Sequence, residues 1–257
     1  MNIIFLIFFL YIVFLSLKVP LIENFKSNKI TIDKIYVINL DKSKDRLKYI
    51  TKQLKREGLI FERITGIDGK QLDKNELIRK KIVTSETMTL GAIGCYLSHK
   101  KIWEKEKNSK NSNFLVLEDD CIITKNIKQK FNEYSKQIPE NWDIIYLGGS
   151  NIYGKKINKN ILVPIPNING DTTNCGMYAM LINKKALPQL LKYSEKITGN
   201  IDQVIKNNLF KKLNVFFIID PLIYHNNNIP SDRRINSNQV PLTSWFKNVQ
   251  PKITIVS

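Results

Sequence analysis

Apolar positions recur along this chain with two different periods, and the switches between them mark its elements. Residues 34–40 (KIYVINL) form a short β-branched run and predict a strand. Leu47, Ile50 and Leu54 then fall at helical spacing. They predict a helix over 44–57, capped by Asp41 or Ser43 and stopped by Gly58. Residues 60–64 read as a second strand, and Gly66 and Gly69 bracket a turn. A helix is expected over 90–105, with small residues Gly91, Ala92 and Gly94 at its start. Residues 114–117 are an apolar strand that runs directly into Glu118, Asp119 and Asp120. Helices at 127–138, 184–193 and 202–213 then alternate with strands at 142–147, 177–182 and 215–219. Pro188 fits its helix only near the first turn. This alternation predicts an α/β fold, one domain over 34–226 with a mixed, mostly parallel sheet flanked by helices. The polar segment 227–257 reads as an irregular tail.

The first residues are a separate segment. Residues 3–17 are apolar apart from Tyr11 and Ser16, and no charged side chain precedes Lys18. Fifteen helical residues cover about 22 Å, and residues 19–22 extend that toward the ~30 Å of a hydrocarbon core. A basic start and a small-x-small cleavage site, the marks of a signal peptide, are both missing. Residues 1–22 are therefore read as a single-pass membrane anchor ahead of the alternative, a signal-like segment, with 23–33 as a linker. Lys18, Lys26, Lys29 and Lys34 all follow the apolar run, which by the positive-inside rule keeps the body cytosolic. A secretory-pathway enzyme needs the opposite orientation, so the side of the membrane stays open.

Composition narrows the classes. With 43% apolar and 25% charged residues, the 257-residue chain is neither disordered nor polytopic. Three cysteines without a CxxC pair exclude a disulfide scaffold and a zinc ribbon. Forty Lys+Arg against 23 Asp+Glu give a net charge of +17. The lysines are spread along the chain, and no zinc-finger spacing or RNP-type motif accompanies them, so specific nucleic-acid binding is not expected. A solvated basic surface comes first, a contribution to phosphate binding second.

The acidic triplet carries the strongest chemical signal. In open α/β sheets ligands bind outside the carboxyl ends of strands. Three adjacent carboxylates repel one another unless a cation lies among them, and oxygen donors suit Mg²⁺ or Mn²⁺. Extended-strand alternation would put Glu118 and Asp120 on one face and Asp119 on the other. The plain alternative is a solvated turn with an acidic helix cap. His99 can pair with a carboxylate or phosphate. His225, near another strand end, is a candidate third metal ligand that favours Mn²⁺ over Mg²⁺; for both histidines the alternative is ordinary packing. Asn39, Asp41 and Arg46 surround a strand end and a helix start, where phosphate is readily held. Asp202, at an expected helix start, is either an N-cap or a general base.

Several segments together resemble glycosyltransferase family 25. They are Val37-Ile38-Asn39-Leu40 with Arg46, the helix Gly91-Ala92-Ile93-Gly94-Cys95-Tyr96-Leu97-Ser98-His99 with Trp103, and Leu115-Val116-Leu117-Glu118-Asp119-Asp120. Trp142-Asp143-Ile144-Ile145-Tyr146-Leu147-Gly148 and the stretch from Cys175 to Ile182 with Ala186 continue the series. Asn200-Ile201-Asp202 stands where the family often has Pro-Val-Asp. The resemblance implies a GT-A-like fold and inverting transfer of galactose or glucose from a UDP-sugar. The implied acceptor is a hydroxyl of a glycan, a lipid-linked saccharide or hydroxylysine. By position, Glu118 and Asp120 are expected at a divalent ion with Asp119 assisting, Asn39 and Arg46 around the donor, and His99 beside the acidic site; the reading of the residues adds His225 as a ligand that favours Mn²⁺ and Asp41 to the donor pocket. Asp202 is expected as the base. A metal-dependent phosphoryl or nucleotidyl transferase and a non-catalytic basic binding protein are the rival readings.

Overall fold

Strands β1 (Lys34–Asn39) and β3 (Asn113–Glu118) form the centre of the site-bearing half and pair in parallel, with Tyr36 opposite Val116. The structure, a computed structural model, describes residues 30–165, 173–229 and 252–256. Alternation sends Ile35, Val37, Leu115 and Leu117 to one face of the sheet and Tyr36, Phe114 and Val116 to the other. All seven are buried, and burying side chains of this size contributes about 1.5–3 kcal/mol each. Such runs can only be central strands, which is why they are readable from sequence.

Nine strands make the main sheet, numbered in chain order: β2 (Glu62–Thr65), β5 (Ile144–Tyr146), β6 (Ile152–Lys156), β7 (Ile161–Pro164), β8 (Ala179–Asn183), β9 (Val215–Ile218) and β11 (Ile253–Val256) join β1 and β3. Their spatial order is β11-β6-β7-β9-β5-β8-β3-β1-β2. Four ladders are parallel (β1–β2, β1–β3, β5–β9, β6–β11) and four antiparallel (β3–β8, β5–β8, β6–β7, β7–β9). The sheet is thus mixed, with a larger antiparallel share than βα alternation suggests. The β6–β7 link is too short for a crossover, and β8 inserts antiparallel between β3 and β5.

Helices cover both faces. Helices α1 (Lys44–Arg56) and α4 (Ile127–Ser135) pack on the Val37 face through Ile50, Leu54, Ile127 and Phe131. Helices α3 (Leu90–Lys107), α5 (Leu187–Tyr193) and α6 (Ile201–Leu209) pack on the Tyr36 face. The short α2 (Lys74–Arg79) precedes α3 and has no buried residue. The 184–193 helix expected from sequence is split: Lys184–Ala186 is a 3₁₀ turn, and Pro188 falls in the first turn of α5. Proline lacks the N–H that a continuous helix would need there. The last expected helix runs over Ile201–Leu209, with Asn200 rather than Asp202 at its N-cap.

Within the segment read as an irregular tail, Ile253–Val256 forms β11 on the edge of β6. At the described end of the expected linker, Ile30 and Ile32 are buried in the core. The expected membrane anchor at 1–22 lies outside the described residues; among the described residues no helix is long and apolar enough to cross a membrane.

Helix α3 sets one wall of the site. Thr89 caps it, its hydroxyl accepting from Ala92 N at 3.2 Å. Gly94 lets the preceding loop approach: a Cβ there would lie 2.4 Å from Ile67 O, and one on Gly69 would lie 2.0 Å from Leu90 O. Ser98 completes the clasp, its Oγ accepting from Ile67 N at 2.8 Å and donating to Gly94 O at 2.7 Å. The small residues at the helix start thus hold a loop against it, leaving an opening on the strand-end side.

Candidate active site

That opening is a cavity of about 740 Å³ at the carboxyl ends of β1 and β3, large enough for a drug-sized or nucleotide-sized ligand. Of the residues singled out from sequence, Asn39, Arg46, His99, Glu118, Asp119 and Asp120 line it. Asp41 lines a neighbouring depression instead, while His225 and Asp202 are not in the lining. The loop 67–70 and the first turn of α3 form the opposite wall, and Lys42, Lys70 and Lys74 add positive charge.

The strand alternation expected for the acidic triplet stops one residue in. Strand β3 ends at Glu118, and Asp119-Asp120 form a turn. The grouping is therefore different: Asp119 and Asp120 share Arg46, and Glu118 faces α3. Arg46 donates through Nη2 to Asp119 Oδ1 and, at 3.2 Å, to Asp120 Oδ2. Asn39 Nδ2 donates to Asp119 Oδ2 at 2.6 Å and to Ser43 O at 3.0 Å. Burial drives the Asp119 carboxyl up to about 7 against the pull of Arg46, with Asp120 adding to the rise. Burial also works to raise Asp120, but His225 and Arg46 outweigh it and hold this carboxyl below the usual range.

His225 arrives from far along the chain. Cys121–Ile123 forms strand β4, which pairs antiparallel with β10 (Ile223–His225), His225 opposite Cys121. This register sets His225 Nε2 3.4 Å from Asp120 Oδ2. Its Nδ1 lies 2.6 Å from Asn227 Oδ1. Burial works against the imidazolium, yet Asp120 prevails and raises His225 to about 9.

Glu118 belongs to a second group. His99 Nε2 lies 3.2 Å from Glu118 Oε1, and Cys95 Sγ donates to the same oxygen at 3.9 Å. Among the described residues, Cys95, His99 and Glu118 are the group of three whose ligand atoms all lie within 4.8 Å of one another. Glu118, Asp120 and His225, the ligand set expected from sequence, do not form such a group, because the turn after Glu118 sends Asp120 toward β10.

The residues present fit a hard divalent ion at the Asp119–Asp120 corner. Asp120 Oδ1 is buried and has no hydrogen-bond partner among the described residues, a costly arrangement without a cation. Two buried carboxylates share one guanidinium, and their oxygens are the donors that Mg²⁺ or Mn²⁺ takes.

Asp202 sits in the first turn of α6, its carboxylate accepting from Gln203 N at 2.9 Å. Burial and then the charge of Asp202 push the phenol of Tyr146, the last residue of β5, above its ordinary value. Asp41 is exposed and paired to Arg63. Sequence reasoning gave no role to Arg63, whose Nε donates to Asn39 Oδ1 at 2.9 Å and so fixes the amide that holds Asp119. Nor did it use Cys95; its i, i+4 spacing to His99 was the available signal.

Residues 32–205 match the sequence profile of glycosyltransferase family 25 (LPS biosynthesis protein). Human procollagen galactosyltransferase 2 is 28% identical over 153 residues, covering 55% of this chain and 24% of the relative. A glycosyltransferase 25 family member from Aedes aegypti is 32% identical over 132 residues, covering 47% and 22%. The chain spans about a quarter of the length of these curated relatives. A cattle relative at 25% identity, matching 48% of this chain and 23% of its own length, is named a probable inactive glycosyltransferase 25 family member 3. Among solved structures, a glycosyltransferase involved in glycosylation of the major capsid of PBCV-1 aligns with a TM-score of 0.47 and 11% identity over 78% of this chain and 95% of its own. The profile match takes in the whole stretch from Asn39 to Asp120 that builds the cavity, and covers well over half of the sequence; the chain belongs to glycosyltransferase family 25.

Proposed function

We propose that this chain is a metal-dependent, inverting hexosyltransferase that moves galactose from UDP-galactose to an acceptor hydroxyl. The observation that carries the reading is the corner where Asp119, Asp120, Arg46 and Asn39 meet inside a cavity of about 740 Å³. Family membership supports transfer of a sugar. The names of the procollagen galactosyltransferase relatives support galactose over glucose, and hydroxylysine on a collagen-like protein beside glycan or lipid-linked acceptors.

In this reading Asp119 and Asp120 would hold the ion, with His225 and Glu118 flanking them. The imidazole beside Asp120 favours Mn²⁺ over Mg²⁺. The ion supplies neutralisation of the charge that develops on the departing diphosphate. Arg46, the N-terminus of α3 and the lysines of the cavity wall bind and orient the donor phosphates. Asn39, fixed by Arg63, keeps Asp119 in place. Inversion requires the acceptor hydroxyl to lose its proton as its oxygen attacks the anomeric carbon, and Asp202 is assigned that base role. The apolar segment 3–17 anchors the enzyme to a membrane near its acceptor.

The test is donor hydrolysis, which needs no acceptor. The chain is incubated with UDP-sugars in Mn²⁺, Mg²⁺ or chelator, beside an Asp120→Ala variant, and released UDP is measured. UDP release from UDP-galactose that needs Mn²⁺ and is lost in the variant is the expected result. Absence of both turnover and metal-dependent UDP binding would sink the transferase reading and leave a binding protein on the same fold.

A further inference from the structure

We propose that Cys95, His99 and Glu118 form a site for a borderline-soft divalent ion, Zn²⁺ by chemical type, on the cavity wall and apart from the oxygen-donor corner at Asp119 and Asp120. Cys95 and His99 are one helical turn apart on α3, so thiol and imidazole project from one face. The last residue of β3 brings the Glu118 carboxylate to them from the sheet. The ligand atoms all lie within 4.8 Å of one another, with Nε2 to Oε1 at 3.2 Å and Sγ to Oε1 at 3.9 Å. Tetrahedral zinc with bonds of about 2.0–2.3 Å needs ligand atoms roughly 3.3–3.6 Å apart. The two separations to Glu118 Oε1 lie within a few tenths of an ångström of that range, and the sulfur-to-imidazole separation is within 4.8 Å.

Chemistry separates this trio from the acidic corner. A thiolate selects Zn²⁺ over Mg²⁺ or Mn²⁺, whereas Asp119 and Asp120 offer only oxygen. One thiolate, one neutral imidazole and one carboxylate balance the two charges of the ion. Binding forms a Zn–S bond and releases the thiol proton to solvent. His99 is fully buried, and its Nδ1 has no partner among the described residues. A metal on Nε2 would place the ring proton on Nδ1, where the described residues offer no acceptor, so metal binding has to outweigh one unpaired buried N–H. All three residues line the cavity. With three protein ligands, the fourth position opens into it, the arrangement of zinc sites that keep a water or a substrate atom.

The inference does not rest on the transferase reading, because ion binding needs no turnover. Full-length protein freed of metal by chelator is titrated with Co²⁺, which reports a thiolate ligand by a sulfur-to-metal charge-transfer band. The expected result is one equivalent of Co²⁺ giving the band, Zn²⁺ displacing it, and Cys95→Ser abolishing it while Cys175→Ser keeps it. A second measurement needs no variant: Zn²⁺ slows alkylation of Cys95, read by peptide mass, in wild-type protein. A folded wild type without the band, a band that survives Cys95→Ser, or Cys95 alkylation unchanged by Zn²⁺ overturns the proposal.

Discussion

Buried carboxylates occur at both ends of helix α3, and their neighbours differ in kind. Glu106, in its last turn, accepts from the Tyr36 hydroxyl, from Ser109 Oγ at 2.6 Å and from Asn111 Nδ2 at 2.9 and 3.2 Å. Neutral donors surround it, and both of its oxygens are used. At the other end Asp119 and Asp120 share Arg46, Asp119 is pushed toward the neutral form, and Asp120 Oδ1 has no partner among the described residues. Burial is equally deep in both places. Satisfaction separates a carboxylate that ties β1 to α3 from a pair held ready for a cation.

The sharpest way to break that contrast is to remove one carboxylate from each end. Asp120→Ala is expected to lower donor turnover by about 10³-fold, the upper end of the scale of losing a charge-stabilising group, while the protein stays folded. A variant that keeps activity within a few-fold of wild type would remove the acidic corner from the chemistry.

Asp202→Asn comes next. A general base contributes about 10²–10⁴-fold. The expected signature is a loss of that order in kcat for transfer, with UDP-sugar KM and acceptor-independent UDP binding unchanged. An unchanged kcat would show that Asp202 serves α6 only, consistent with its bond to Gln203 N.

Glu106→Ala reverses the pattern. It strands the Tyr36 hydroxyl and the Asn111 amide in the interior, at a cost of about 3 kcal/mol in unfolding free energy. Glu106 lies about 10 Å along the helix from His99, so turnover per folded molecule should hold. Denaturant titration and kinetics on the folded fraction measure the two effects separately. A stable variant with poor turnover would place Glu106 among the site residues and erase the distinction.

How much of this was readable depended on where the information lies. The β1 and β3 runs, the small-residue start of α3 and the acidic triplet are local, and apolar runs of β-branched residues admit few readings. The partition of the triplet was not local. It depends on β3 ending at Glu118 and on β4 pairing with β10, a contact between Cys121 and His225 across about a hundred positions. Strands β4 and β10 have three residues each, too short for a period to show. Arg63 looked like a polar residue in a weak strand, and only its register beside Val37 reveals that it holds Asn39. Strands β6, β7 and β11 form one edge of the sheet, where partial exposure blurs the alternation.

The smallest effect is the pH dependence of stability, and it tests the contrast from the side of the fold. In the folded chain Asp119 holds its proton up to about pH 7, against the ordinary value of 3.8. Below that ordinary value folded and unfolded chains both carry the proton, so nothing is lost. As pH rises from about 4 to 7 the unfolded chain releases it and the folded chain does not, so stability falls through that window. Asn at this position mimics the neutral form and removes the slope. In chelator, Asp119→Asn should therefore match wild type near pH 4 and exceed it by roughly 1–3 kcal/mol at pH 8, measured by urea unfolding at both values. His225 steepens the wild-type fall higher up, since its pairing with Asp120 stabilises the fold below pH 6.5 and is lost as pH rises through about 9; that part should persist in Asp119→Asn and vanish in His225→Gln. Mn²⁺ should abolish the Asp119 difference by giving the carboxylate the charge it lacks. If wild type and Asp119→Asn differ equally at pH 4 and pH 8, the corner is as well satisfied as Glu106, and its claim to hold a cation fails with it.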